Sequence, residues 1–159
     1  MSIVVSDTSP IRALAHLELL PLLGELYDEV VIPPAVFDEL TRKGKRFTPL
    51  SPADLALFRL REPALDVPQT AEFLELDAGE REAIRLALEL SADGLLIDEH
   101  CGRQVATAFG LRVTGTLILK LCLVNSSFAV RSPVRRPNGR GCRIAACVRR
   151  SRNHRARSV

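Results

Sequence analysis

The chain has 159 residues, 47% of them hydrophobic, and a formal net charge of +3. This length and hydrophobic content are enough for one domain with a substantial core. It has no apolar run of about 18 residues, and its amino terminus lacks a basic start, so the sequence excludes a transmembrane helix and a signal peptide. We therefore expect a cytoplasmic protein with no membrane partner. The four cysteines form no CxxC pair, which disfavours a disulfide framework.

The first part of the chain alternates short apolar runs with helical patterns. Residues 3–5 are β-branched and predict a buried strand, after which Ser9 and Pro10 predict a helix start, with Ser9 as the N-cap. Residues 29–32 predict a second strand. The following Pro33-Pro34 pair ends that strand and opens a helix that continues through residue 40.

The second part resumes this alternation after a stretch that is hard to interpret. Residues 44–75 contain four prolines, and only 54–61 are compatible with a short helix. Residues 77–90 predict the strongest helix of the chain, and 94–97 predict a strand that ends at Asp98. A helix closing at Gly110, a strand over 111–114 and a further helix start follow. Such alternation indicates βαβ units, a parallel sheet and an α/β fold.

Four carboxylates are placed by this pattern near one edge of the sheet. Asp7 and Asp98 each follow a strand directly, and in a parallel sheet the carboxyl ends of the strands share an edge. Glu39 lies on the helix after the second strand. Glu80 shares a helix face with apolar residues 83, 84 and 87, so we expect it to lean toward the sheet.

Four acids at one edge would repel one another without a cation. Mg²⁺ or Mn²⁺ would explain the arrangement, because hard divalent cations take oxygen ligands. Such ions also activate water and stabilise the oxygens of a phosphoryl displacement. The residues therefore suggest metal-assisted hydrolysis of phosphodiesters.

Each acid also has a purely structural interpretation, which the sequence leaves open. Asp7 would form an Asx turn, Glu39 would be a solvated helix residue, and Asp98 would cap the helix that follows it. Glu80 lies three residues after Asp77, the spacing of a capping box. Three neighbouring acids are expected to be solvated: Asp38, Glu82 and Glu99.

Several stretches together resemble the PIN-domain family. They are "VVSDTSPI", "VIPPAVFDEL", "LDAGEREAIRLALEL" and "LLIDEHCGRQVATAFGLRVTGTL", and they span about residues 3–120. The resemblance is to a prokaryotic subgroup of nucleic-acid-binding proteins similar to VapC-type toxins. It implies a Rossmann-like three-layer α/β/α sandwich with a central parallel sheet of four or five strands, over a domain of residues 1–120.

The resemblance also implies a function. PIN proteins of this kind are metal-dependent ribonucleases, and the matching acids here are Asp7, Glu39, Glu80 and Asp98, with Mg²⁺ or Mn²⁺ as cofactor and RNA as substrate. It further implies a homodimer and, for toxin members, an antitoxin that blocks the site. The chain departs from the family after Asp98, where Arg103 stands in place of several basic residues. This departure predicts weaker contact with phosphate or a weaker metal site.

Two alternatives to this enzyme stay open. One is a catalytically inactive or truncated PIN-fold module that binds nucleic acid or a partner without cleaving it. The other is phosphotransfer on Asp7, but the second acid that such a site needs is absent, because Ser9 stands two residues on.

The charge is divided unevenly along the chain. Residues 1–120 carry a formal −7, whereas residues 121–159 carry ten arginines and no acid, a formal +10. Because the family resemblance stops near residue 120 and the segment lacks helical periodicity, we predict that 121–159 is a non-native or disordered tail produced by a frameshift. The alternative is an arginine-rich arm that binds RNA through its phosphates.

Overall fold

The computed structural model describes residues 1–42 and 49–117. The elements of these residues are short and follow one another closely along the chain. In order they are β1 (Ile3–Ser6), α1 (Thr8–His16), α2 (Pro21–Leu26), β2 (Glu29–Ile32), α3 (Pro34–Thr41), α4 (Pro52–Leu55), β3 (Arg59–Leu60), α5 (Ala71–Leu74), α6 (Ala78–Leu90), β4 (Gly94–Leu96), α7 (His100–Ala108) and β5 (Val113–Thr114).

The strands form a five-stranded sheet in the order β3-β2-β1-β4-β5, and every pairing is parallel. At the centre, Val5 is in register with Val31 of β2 and with Leu95 of β4. Because all the strands run the same way, β1, β2 and β4 end at one edge of the sheet, next to the starts of the segments that follow them.

The strand side chains alternate between two cores, one on each face of the sheet. Val4 and Leu96 pack with the buried faces of α1, α2 and α3. Val5 and Leu95 point the other way and pack with α5, α6 and α7, where Phe73 and Phe109 meet edge to face at 6.0 Å. This confirms the predicted three-layer α/β/α sandwich.

The predicted start of α1 is wrong by two residues. The N-cap is Asp7, whose carboxylate accepts a hydrogen bond from the Ser9 N–H, so Ser9 and Pro10 lie inside the first helical turn. A carboxylate satisfies this orphan N–H as well as a serine hydroxyl does, and extended backbone at Asp7 lets β1 pass straight into the helix.

The short helix predicted over 54–61 is also wrong in its extent. It begins at a capping box formed by Ser51 and Asp54 and ends at Leu55. Arg59 and Leu60 instead pair in parallel with the last two residues of β2 and form an edge strand. Both residues are exposed, so the sequence carries no alternation of apolar and polar residues that would predict this strand.

The other elements lie close to their predicted positions. The strand at 29–32 coincides with β2, α6 covers all but the first residue of 77–90, and Gly110 follows α7 with a positive φ of 80°. Within residues 1–42 and 49–117, no helix is long and apolar enough to cross a membrane. The predicted tail, 121–159, lies outside the described residues.

Candidate functional site

Asp7 lies at the centre of the edge where the strands end. Its backbone N–H donates to the Leu96 carbonyl of β4 at 2.9 Å, so the residue is held between the two central strands. Its side chain is only 3% exposed. Asp7 is thus both the cap that the Asx-turn interpretation predicts and a buried acid at the sheet edge.

Carboxylates from three elements surround one point beside Gly79, near the start of α6. A Cβ built on this glycine would stand 3.2 Å from Asp7 Oδ1, 3.3 Å from Glu39 Oε1 and 3.4 Å from Asp77 Oδ1. Asp7 comes from the end of β1, Glu39 from α3 and Asp77 from the N-cap of α6. Three carboxylate oxygens therefore approach the same face of Gly79 closely enough that even a methyl group there would be tight.

Glu80 is the buried acid on the α6 side of the site, as its helix face predicts. Its side chain is 5% exposed, and Oε2 accepts from the Asp77 N–H while Asp77 Oδ1 accepts from the Glu80 N–H, which completes a capping box. Its other oxygen, Oε1, is buried and has no hydrogen-bond partner in the structure. A buried carboxylate oxygen in this state is costly unless something else compensates it.

Gly102 of α7 provides the room for this carboxyl group. A Cβ at Gly102 would overlap Ile97 Cδ1 and Glu80 Oε1, both of which belong to buried side chains. Glycine in a helix interior is normally unfavourable by about 1 kcal/mol relative to alanine. Here close packing of α7 on the site outweighs helix propensity.

Gly102→Ala is accordingly expected to destabilise the domain by about 1–3 kcal/mol, the range for overpacking a full core. Gly24 is a matched control, since it is also helical but has no atom within 4 Å of an added Cβ. Denaturant unfolding of both variants measures the difference. A Gly102→Ala protein as stable as Gly24→Ala would show that α7 does not pack this tightly.

Burial and mutual repulsion make two of the acids weak. Burial raises the pKa of Asp7 to about 6; hydrogen bonds from the Thr8 and Ser9 backbones oppose this shift, and the charges of Asp77 and Glu39 add to it. For Glu80, burial and then the charge of Asp77 raise the pKa to about 7, with Asp7 and Glu99 contributing less. Without a counter-charge, ionising both carboxyl groups in the folded protein is therefore unfavourable.

Asp98 lies at the same edge but is engaged elsewhere. Its Oδ1 accepts from the Thr116 N–H at 2.8 Å, and its Oδ2 accepts from the Thr116 hydroxyl. Asp98 Oδ1 and a guanidinium nitrogen of Arg103 both lie within 3.4 Å of the position a Gly115 Cβ would take. Asp98 does not cap α7, since the N-cap of that helix is Glu99 and has no side-chain cap.

The structure thus brings together Asp7, Glu39 and Glu80 of the four predicted acids, while Asp98 faces Thr116, two residues after the end of β5. It adds Asp77, which the sequence analysis considered only as a helix cap. In residues 1–42 and 49–117, no three acidic, histidine or cysteine side chains already stand in a geometry that would hold a metal ion. Convergence, rather than a preformed ligand set, is what the structure establishes.

The prediction that Glu82 is solvated is wrong. It is half-buried, and its Oε2 accepts from the Ala35 N–H at 2.9 Å, which ties α6 to the first turn of α3. A helix start without a side-chain cap leaves such N–H groups unsatisfied, and a carboxylate from the neighbouring helix supplies the missing acceptor.

Comparison with known families decides what kind of domain carries this site. A family model described as a PIN domain (DUF3368) matches residues 3–150, most of the chain. The chain belongs to the PIN-domain family. No curated protein matches the sequence.

Membership places this PIN domain among nucleases and nucleic-acid-interacting proteins in general. The five-stranded parallel sheet with helices on both faces agrees with the fold. The match continues to residue 150, past the predicted boundary of the PIN domain at residue 120. Both that boundary and the frameshift stay predictions.

Proposed function

We propose that this PIN domain is a metal-dependent ribonuclease that uses Mg²⁺ or Mn²⁺, with Asp7, Glu39, Glu80 and Asp98 as its acids. The observation that carries the proposal is the convergence of the Asp7 and Glu39 carboxylates beside Gly79, with the buried Glu80 close enough to Asp7 to feel its charge. Neither helix capping nor core packing requires acids from separate strands and helices to meet.

The chemistry of these side chains suits a hard divalent cation. Carboxylate oxygens converge beside Gly79, and they are the ligands that Mg²⁺ and Mn²⁺ prefer. Glu80 Oε1 is buried without a partner, and the raised pKa values of Asp7 and Glu80 reflect charge that a cation would neutralise. Asp7, Glu39 and Glu80 would hold the ion, and Asp98 would complete the site from the next strand end.

A bound ion of this kind supplies a water of lowered pKa and stabilises the charge that develops on the phosphate oxygens. The protein supplies positioning. Asp7 is fixed by the sheet and by its cap, and Glu80 is fixed by the capping box, so both carboxylates are oriented before substrate binds. Arg103 is exposed beside Asp98, where its guanidinium can contact a phosphate of the RNA.

Cleavage of a labelled single-stranded RNA of mixed sequence tests the proposal. We expect cleavage in millimolar Mg²⁺ or Mn²⁺ and none in excess EDTA, because the acids alone provide no activated water. Cleavage that persists in EDTA would contradict the mechanism. RNA that is retained but never cut would favour the alternative, an inactive PIN-fold binding module.

The proposal extends to the partners of related toxins: a homodimer in solution and, if the protein is a toxin, an antitoxin that covers the acid cluster. A toxin role predicts growth arrest when the chain is expressed. Sedimentation equilibrium on the purified chain measures its oligomeric state. A monomer at all concentrations would contradict the dimer without bearing on RNA cleavage.

A further inference from the structure

We propose that Glu82 is a positioning residue for Glu39: it holds the start of α3 against α6, so that the Glu39 carboxylate stays beside that of Asp7. This inference rests on the proposed function, because it concerns the placement of one of the four acids. Glu82 is not one of those acids itself. It acts through the backbone of α3 and makes no contact with substrate.

The start of α3 has no side-chain acceptor of its own. Its N-cap is Pro33, whose side chain carries no oxygen, and Pro34 at the first helical position has no N–H. Ala35 is then the first residue of the helix whose N–H needs a partner from elsewhere. Glu82 Oε2 accepts from this N–H at 2.9 Å. The bond therefore fixes the start of α3 relative to the helix that carries Glu80.

The place of Glu82 on α6 suits it to this contact. Glu80 and Glu82 are two residues apart, so their side chains leave the helix on opposite sides. Glu80 faces Gly102 of α7, whereas Glu82 faces Ala35 of α3. A hydrogen bond to a half-buried carboxylate is stronger than one between neutral groups. One helix thus orients two acids, Glu80 directly and Glu39 through α3.

A second bond holds α3 at Glu39 itself. Arg12 of α1 donates from Nη2 to the Glu39 carbonyl oxygen. The two bonds, one at each end of α3, restrain both its position and its rotation about its own axis. The direction in which Glu39 points depends on that rotation, and its Oε1 approaches the same face of Gly79 as Asp7 Oδ1 does. Loosening the start of α3 would therefore displace the Glu39 carboxylate.

Steady-state cleavage of labelled RNA by the full chain in millimolar Mn²⁺ tests the assignment. Glu82→Met keeps the length of the side chain but removes the acceptor. We expect kcat to fall about 10- to 100-fold and KM for RNA to change less than about twofold, because a displaced acid slows the chemical step without removing a substrate contact. Glu82→Gln keeps an oxygen that can accept from the Ala35 N–H, so its kcat should lie within about threefold of wild type.

Glu89→Met provides the matched control on the same helix. Glu89 is also half-buried, and its Oε2 accepts from the Ala64 and Leu65 N–H groups at 2.7 and 2.9 Å. It lies at the end of α6 farthest from Glu80, and its partners belong to the segment between β3 and α5. This variant should lose stability as Glu82→Met does, yet keep kcat within about twofold of wild type. All rates are measured well below the melting temperature of each variant.

The outcomes separate this inference from the proposed function. Wild-type kcat in Glu82→Met, or an equal loss in Glu89→Met, would overturn the positioning role and leave the proposed function standing. Glu82→Gln as slow as Glu82→Met would also overturn it, because the charge of Glu82 and not its bond to Ala35 would then matter. Absence of cleavage by wild type would contradict the proposed function, and this role with it. Should Glu82→Met not fold, Glu82→Ala takes its place, since it lets water reach the half-buried Ala35 N–H.

Discussion

Asp7→Asn is expected to lower metal-dependent RNA cleavage at least about 100-fold while the domain stays folded. The rate loss is of the size seen when one catalytic charge or acid–base group is removed. Asparagine keeps the shape of the side chain and can still accept from the Ser9 N–H, so α1 remains capped. It removes the negative charge that we assign to cation binding. Initial cleavage rates and circular dichroism melts measure the two effects separately.

Asp93→Asn provides the matched control for that experiment. Asp93 lies just before β4, at the opposite edge of the sheet, where its carboxylate accepts from the Ile3 N–H at 2.9 Å. The same chemical change there should leave cleavage within about twofold of wild type, because Asp93 lies away from the acid cluster. A loss of activity caused only by destabilisation of the fold would affect both variants alike. Equal activity of Asp7→Asn and wild type would rule out the proposed site.

The metal-free protein is expected to lose a few kcal/mol of stability as the pH rises from about 4 to about 7. With pKa values raised to about 6 and about 7, Asp7 and Glu80 retain protons in the folded state that the unfolded chain has already released. The folded state then binds more protons across this window, so the free energy of unfolding falls as pH increases. One pKa unit corresponds to about 1.4 kcal/mol.

Glu80→Gln identifies the source of that pH dependence. The amide oxygen can still accept from the Asp77 N–H, while the charge facing Asp7, Asp77 and Glu99 is gone. In EDTA, the variant should therefore be more stable than wild type at pH 8, by on the order of 2–3 kcal/mol, and nearly equal to it at pH 4. Urea unfolding at both pH values measures this.

Glu72→Gln serves as the control, since Glu72 is exposed on α5, away from the acid cluster. It should follow the wild-type pH curve, because exposed charges contribute little to stability. If Glu80→Gln shows the same pH dependence as wild type, burial of Glu80 is not what makes the metal-free domain sensitive to pH.

The fold was predictable wherever local pattern and burial agree. Residues 29–32 are apolar, β-branched and buried, so the strand coincides with its prediction. The helix at 77–90 has both a capping box and an apolar face, and these local features persist in the structure. The edge strand β3 was missed because Arg59 and Leu60 are exposed and are held as a strand by pairing with β2 rather than by their own composition.

The sequence by itself determined that strand-end acids would occur and that Glu80 would lean inward, because strand order along the chain and helix periodicity are local properties. Only the tertiary structure decided that Asp77 joins Asp7 and Glu39, while Asp98 turns to Thr116. The glycines of α6 and α7 illustrate the reason. Helix propensity disfavours glycine at positions 79 and 102, yet nearly all the side chains that approach them come from other elements. Sequence periodicity carries no information about distances between elements.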